Sequence, residues 1–180
     1  MVSKAARRYA NALLVTAIEQ DMLEDIKEDM ELIHETIAGS SELSLFLKSP
    51  IIRNDVKKSA LEMIFDDKVQ QLTSSLIAIL SDKSREGLLF GISEGFMKLY
   101  NEHHNIIEVD VETAFELNEA QQTSLKNELE TVTGKTIKMR IEKNEDLIGG
   151  LSVRIEDTVY DGSAKYKLNQ LKRKFTTAVE

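Results

Sequence analysis

The sequence predicts a mainly α protein: an N-terminal six-helix antiparallel bundle over residues 1–105, followed by a small α+β domain over residues 106–180. Three observations carry this. Apolar residues recur at helical spacing through the first part. Near residue 105 the period changes, and short runs with apolar residues at alternate positions take over. The helical stretches are joined by short connections, which make neighbours antiparallel.

The first helix is expected over Ser3–Glu19. Ala6, Tyr9, Ala10, Leu13 and Ala17 fall on one face of it. A second row of small side chains carries Ala5 and Ala12, with Tyr9 between the two. Met22, Ile26, Met30, Ile33 and Ile37 form the stripe of the next helix, which Gly39 is expected to end by adopting positive φ. A short helix follows around Ser41–Leu47. Pro50 then forces Ser49 into extended backbone and separates two helices. Asn54 is the expected N-cap of the fourth, with Asp55 in its first turn and Val56, Ala60, Leu61 and Ile64 along it. The fifth is expected over Asp67–Leu80, with Val69, Leu72, Leu76, Ile79 and Leu80. The sixth is expected over Glu86–His103, with Leu89, Ile92, Phe96 and Tyr100.

In the second part, Ile107, Val109 and Val111 alternate, as do Ile137, Met139 and Ile141, and then Leu151, Val153 and Ile155. Each run reads as a strand with one covered face. A helix between the first two starts at Asn118, with Gln121 completing a capping-box pair, and stops at Gly134. A last helix covers Ser163–Phe175. The order β-α-β-β-α makes a small α+β unit.

Composition narrows the function. A chain of 180 residues can bury roughly 70% of the surface that it exposes when unfolded. The net charge of −8 argues against binding nucleic acid, which needs clustered Lys and Arg, and against adsorption to an anionic membrane. With no cysteine there are no disulfides, thiolate metal sites or thiol nucleophiles. No apolar run approaches the roughly 18 residues of a membrane span, so no direct membrane insertion is expected. Residues 1–18 contain no acid and carry Lys4, Arg7 and Arg8, which loosely resembles a mitochondrial transit peptide. The amphipathic pattern nevertheless runs on into core-like residues. The segment is therefore read as the first helix, and the chain as bacterial and cytoplasmic.

No catalytic, cofactor or metal site is expected. Asp82-Lys83-Ser84-Arg85-Glu86-Gly87 looks like the start of a calcium loop, but Ser93 stands where the bidentate Glu belongs. The segment reads as a turn between helices. His103 and His104 are adjacent and point about 100° apart on a helix, and His34 is remote in sequence, so the three do not organise a metal. Gly149-Gly150 has neither a dinucleotide fingerprint nor a Walker sequence around it, and it leads into a strand. Asp161-Gly162 is a turn signal ahead of a helix.

Several segments read together resemble one family. Ala6-Arg7-Arg8-Tyr9-Ala10-Asn11-Ala12-Leu13 is similar to the opening helix of the delta subunits of F-type ATP synthases, whose mitochondrial counterpart is the oligomycin-sensitivity-conferring protein. Phe46-Leu47-Lys48-Ser49-Pro50-Ile51-Ile52, followed by Lys57-Lys58, resembles the next marker of that family. Leu147-Ile148-Gly149-Gly150-Leu151-Ser152-Val153 and Val159-Tyr160-Asp161-Gly162-Ser163, followed by Leu168 and Leu171, resemble its C-terminal signature. The chain departs from the pattern at Phe115-Glu116, where a proline is common after Ala114. It departs also at Asn144-Glu145, often Asp-Pro, and at Ala164, often Val.

The resemblance implies a non-catalytic stator subunit linking the catalytic head to the peripheral stalk during proton-driven ATP synthesis. It further implies a peripheral position at the cytoplasmic face of the membrane and a monomer when isolated. The bundle would hold the N-terminal helix of an alpha subunit in a groove between its first and fifth helices, lined by Ala5, Tyr9, Ala12, Leu72, Leu76 and Ile79. The α+β domain would meet the C-terminal ends of the b subunits, with Gly149, Gly150, Asp161, Gly162 and Ser163 as stalk-side turn motifs. The competing readings are a generic helical protein–protein adaptor, which would lack the C-terminal signatures, and an enzyme, for which no residues provide an anchor.

Overall fold

Polar side chains set several of the helix ends. In a computed structural model, which describes residues 3–155 and 157–177 and side chains as far as Arg173, Ser3 Oγ accepts from the Ala6 amide at 3.1 Å and starts α1 (Lys4–Glu19). The leader reading that turns on Met1 and the outer domain limits at 1 and 180 lie outside those residues. The helices α2 (Leu23–Ala38), α3 (Ser41–Lys48), α4 (Asn54–Phe65), α5 (Gln71–Asp82) and α6 (Leu89–His103) follow. A 3-10 turn at Glu86–Leu88 precedes α6. Then come β1 (Ile106–Thr113), α7 (Glu119–Thr133), β2 (Thr136–Lys143), a 3-10 turn at Glu145–Leu147, β3 (Leu151–Ile155), β4 (Thr158–Asp161) and α8 (Ala164–Thr177). The chain divides into two compact units, residues 1–103 and 104–180.

In the first unit α6 is the central helix, packed against both α1 and α2. The small residues Ala6, Ala10 and Ala17 on the buried face of α1 allow close approach, and Leu13 and Leu14 fill the rest of that face. Ile26, Met30, Ile33 and Ile37 of α2 and Leu89, Ile92 and Phe96 of α6 are buried beside them. Burying each such side chain stabilises by about 1.5–3 kcal/mol.

Several local expectations need correction. Gly39 is the C-cap of α2 but sits at φ −71, still right-handed, so positive φ does not end that helix. Asn54 is the first residue of α4 rather than its N-cap. Its Nδ2 donates to Ser84 Oγ across the bundle, and Arg53 takes the cap position without a side-chain bond. Val56 is half exposed and Lys57 buried in its place. The fifth helix begins at Gln71 and not Asp67, and Asp29 of α2 accepts from the amide of its N-cap residue Gln70 and from the Thr73 hydroxyl. The sixth helix opens as the 3-10 turn rather than as α-helix from Glu86.

In the second unit the strand order is β2-β1-β3-β4. β1 runs parallel to β2, with Val109 opposite Met139, and antiparallel to β3, with Val111 opposite Val153. Ile107, Val109, Val111, Ile137 and Val153 are buried on one face, against Leu125 and Leu129 of α7. The other face carries cross-strand ion pairs, Lys138–Glu108 at 3.9 Å and Arg140–Asp110 at 3.6 Å. Both are exposed and worth less than about 1 kcal/mol each. The Asn118–Gln121 capping box is fully formed, and Gly134 ends α7 in the left-handed conformation at φ +67. The fourth strand adds to the three that the alternating pattern predicts. It is an edge strand with all its residues exposed, so it carries no alternating signal.

Candidate docking surfaces

Two faces of α1 differ in environment. Ala6, Ala10, Leu13, Leu14 and Ala17 are buried, while Ala5 and Tyr9 are half-buried and Ala12 is exposed on the adjoining face. Residues spaced by three and four share a helical face, so Ala5, Tyr9 and Ala12 form one row. On α5, Leu72 is half-buried and Ile79 is 46% exposed. Leu76 is only 8% exposed and belongs to the core beside Ile77 and Leu80.

The segment after α5 reaches across to that row. Arg85 Nη1 donates to the Tyr9 hydroxyl at 3.1 Å. The Arg85 amide donates to Leu80 O at 2.8 Å, and its carbonyl accepts from the Leu88 amide at 2.9 Å, so its backbone is held at both ends. The next residue anchors it further. Glu86 is 1% exposed, and its Oε2 lies 3.8 Å from Nζ of Lys57, itself 5% exposed. Lys57 also donates to Leu47 O at 2.9 Å, tying α3, α4 and the 3-10 turn together. Glu86 Oε1 has no hydrogen-bond partner among the described residues. A buried pair of this kind contributes little net stability, but breaking it is costly because the remaining charge stays buried. Local sequence does not single these residues out: Arg85 reads as turn and Glu86 as the start of the sixth helix, and a lysine is ordinarily assigned to solvent.

In the second unit the two C-terminal turn motifs are bonded to each other. Gly149 O accepts from the Ala164 amide at 2.8 Å, and Leu151 O from the Gly162 amide at 3.0 Å. Gly150 sits at φ +77, and a Cβ there would lie 2.7 Å from Gly162 O. Only glycine fits such a conformation at such a distance. Asp161 Oδ1 accepts from the Ser163 amide at 2.9 Å, and the buried Ser163 caps α8 by accepting from the Tyr166 amide at 3.1 Å. The five residues therefore fix where α8 begins. What α8 presents outward is Leu168, 56% exposed, and Leu171, 51% exposed, one helical turn apart.

The sequence of the chain as a whole matches known proteins. Residues 5–175 match the family model described as ATP synthase delta (OSCP) subunit. The chain belongs to the ATP synthase delta (OSCP) subunit family. The ATP synthase subunit delta of Chlorobaculum tepidum is 43% identical over 168 residues, covering 93% of each chain. That of Chlorobium luteolum is 40% identical over 176 residues, covering 98% of this chain and 96% of the relative. A chain in the cryo-EM structure of the Toxoplasma gondii mitochondrial ATP synthase hexamer superposes with a TM-score of 0.74 at 21% identity, over 97% of this chain and 98% of that chain. At that identity the likeness speaks for the fold.

As a member of the delta (OSCP) family the chain is a structural, non-catalytic component. Its departures from the usual family pattern fall at local turns. Asn144 caps the Glu145–Leu147 turn, accepting from the Asp146 amide at 3.1 Å while donating to Glu112 at 2.7 Å. Phe115, where the family often has proline, is exposed. Ala164 faces Gly149, and a Cβ added at Gly149 would stand 3.6 Å from the Cβ of Ala164, so the small side chain suits the closed turn. Among the described residues no group of three or more His, Cys, Asp and Glu is arranged to hold a metal ion. His103 and His104 are exposed, and His34 stacks on Phe90 at 4.8 Å. No helix among the described residues is long and apolar enough to cross a membrane.

Proposed function

We propose that this delta (OSCP) family chain is the joint between the catalytic head and the peripheral stalk of an F-type ATP synthase. Residues 1–103 dock the N-terminal helix of an alpha subunit between α1 and α5. Residues 104–180 dock the C-terminal ends of the b subunits. The chain is peripheral to the bacterial membrane, on its cytoplasmic face, and resists rotation of the head during proton-driven ATP synthesis.

The observation that supports this reading is the row of Ala5, Tyr9 and Ala12 standing outside the buried face of α1, with Ile79 half exposed on α5. Small residues flanked by aliphatic ones suit an amphipathic helix, whose apolar stripe needs close backbone approach. At the other unit, the bonded turn motifs aim α8, and Leu168 and Leu171 with Lys165 and Lys167 beside them form its outward surface. Titration of the purified chain with a synthetic peptide from the N-terminus of an alpha subunit tests the first docking. A peptide from the C-terminus of a b subunit tests the second. Saturable binding of each is expected. A chain that binds neither is not this joint.

A further inference from the structure

We propose that the outer edge of β2 captures the extended C-terminal end of a partner chain, as an added antiparallel strand whose free carboxylate binds at the Ile137 amide. The partner end alternates apolar and acidic residues. The inference goes beyond the two docking surfaces above and does not depend on them.

Among the described residues β2 is the last strand on its side of the sheet. Its amides alternate in direction. Those of Thr136 and Asn144 donate to Asn105 O and Thr113 O, toward β1. In a parallel ladder every second residue does so, and the register carries this through Lys138, Arg140 and Glu142. The amides of Ile137, Met139 and Ile141 therefore point outward. Ile137 shows what this edge accepts. Its amide donates to Oε1 of Glu130, on α7, at 3.2 Å, and Nζ of Lys126 lies 3.9 Å from the same oxygen. A carboxylate thus sits where the carbonyl of a further strand would. Met139 and Ile141 have no such acceptor among the described residues.

A groove of about 530 Å³ is lined by Gln122, Thr123 and Lys126 of α7 and by Ile137, Lys138 and Met139 of β2. Ile137 is buried on the α7 side of the sheet, with Met139 and Ile141 half-buried beside it, while Lys138 and Arg140 stand on the other face. A strand laid along this edge gains from apolar side chains on one face and from acids on the other. The same cations disfavour a second copy of the chain, which would bring two basic edges together. With Lys126 in the groove and Lys135 just before β2, the start of the edge is basic in a chain of 31 acids to 23 bases. An antiparallel strand ends there, because Gly134 turns the chain back into α7 and leaves nothing before Thr136 to pair with. A chain end supplies at that point the carboxylate that Glu130 otherwise provides, held by an amide and an ammonium.

The test titrates the full chain with an N-acetylated synthetic peptide, Val-Glu-Val-Glu-Val-Glu-Val, as the free acid and as the C-terminal amide. The free acid is expected to bind about tenfold more tightly and to shift the amide resonances of Ile137, Met139 and Ile141. Glu130→Ala removes the internal competitor and is expected to tighten the free acid about threefold or more. Lys126→Gln is expected to weaken the free acid about fivefold and to leave the amide form unaffected. Ile141→Pro removes an outward amide that the ladder with β1 does not use, so it should abolish binding with little change in the thermal midpoint of the second unit. Equal affinity for the two forms, no binding of either, or resonance shifts confined to other elements overturns the inference. If Ile141→Pro unfolds the second unit, the other two variants decide: unchanged affinity for the free acid in both overturns it. Self-association of the chain that the peptide displaces would assign the edge to a second copy, and also overturns it.

Discussion

Asp29 of α2 ties down the start of α5 from outside that helix: its Oδ2 accepts from the Thr73 hydroxyl at 2.6 Å and from the Gln70 amide at 2.8 Å. Asp29 is 6% exposed, and burial pushes its carboxyl above the usual carboxylate range, against the lowering effect of its hydrogen bonds. Asp29→Ala leaves a buried hydroxyl and an amide without an acceptor and should cost about 1–3 kcal/mol. Asp29→Asn keeps an acceptor oxygen and removes the charge. A folded-state pKa raised above the unfolded one contributes stability fully present below the unfolded pKa and lost as pH rises through the folded one. Relative to Asp29→Asn, the wild-type chain should therefore gain stability as pH is lowered from neutral through the acid range. Urea unfolding across that range gives the difference, and a gain on raising pH would contradict the assignment.

Tyr100 behaves in the same direction at the other end of the scale. Its hydroxyl donates to both oxygens of Glu24 at 2.8 Å, and burial, followed by Glu24 itself, pushes its pKa up to about 12. Tyr100→Phe should cost about 1.5–3 kcal/mol at neutral pH, the range for a hydrogen bond to a charged group. The stabilisation is present below the unfolded tyrosine pKa of about 10 and disappears as pH rises through the folded value. The gap between wild type and Tyr100→Phe should thus close on going from pH 10 to 12. A gap that is constant over this interval would show that Tyr100 titrates alike in the folded and the unfolded chain, which contradicts the raised value.

Ala12 is exposed on α1, so Ala12→Asp should leave the thermal midpoint of the first unit little changed. The same substitution sets a charge against the apolar stripe of a docked helix and should weaken alpha-peptide binding at least about tenfold, or 1.4 kcal/mol. Loss of the midpoint instead would make Ala12 part of the core. An unchanged midpoint with unchanged affinity would move docking to another face.

Gly150→Ala should destabilise the second unit by about 3 kcal/mol, since it combines positive φ with a Cβ driven 2.7 Å from the backbone of Gly162. Gly149→Ala, whose Cβ would stand at an ordinary 3.6 Å from Ala164, should cost distinctly less. Circular dichroism of the two variants during thermal unfolding ranks them. Equal costs would mean that the two turns are not bonded to each other as described.

The elements legible in the sequence are those with a strong one-sided pattern. Ile26, Met30, Ile33 and Ile37 announce a helix because all of them turn toward the core, and Ile107, Val109 and Val111 announce a strand for the same reason. β4 has no such asymmetry, since Thr158 to Asp161 are all exposed and their pairing with β3 is made by backbone alone. The burial of Lys57 is invisible locally because its partner, Glu86, lies in another element, and nothing in a lysine's neighbours reveals a distant carboxylate. At the candidate surface, helical spacing puts Ala5, Tyr9 and Ala12 on one row, but Leu76 is core and the turn motifs serve to hold α8. The Arg85–Tyr9 bond joins residues far apart in the chain and no local pattern encodes it.

The closure between Gly149-Gly150 and Asp161-Gly162-Ser163 also has a mechanical meaning. A load entering through α8 first meets the Ala164–Gly149 and Gly162–Leu151 bonds, and from Leu151 it passes into β3 and then β1. Both of those first links are made by the main chain. These two links do not depend on which side chains α8 displays, so under the proposed docking its outer face can change while the bonds at its base persist.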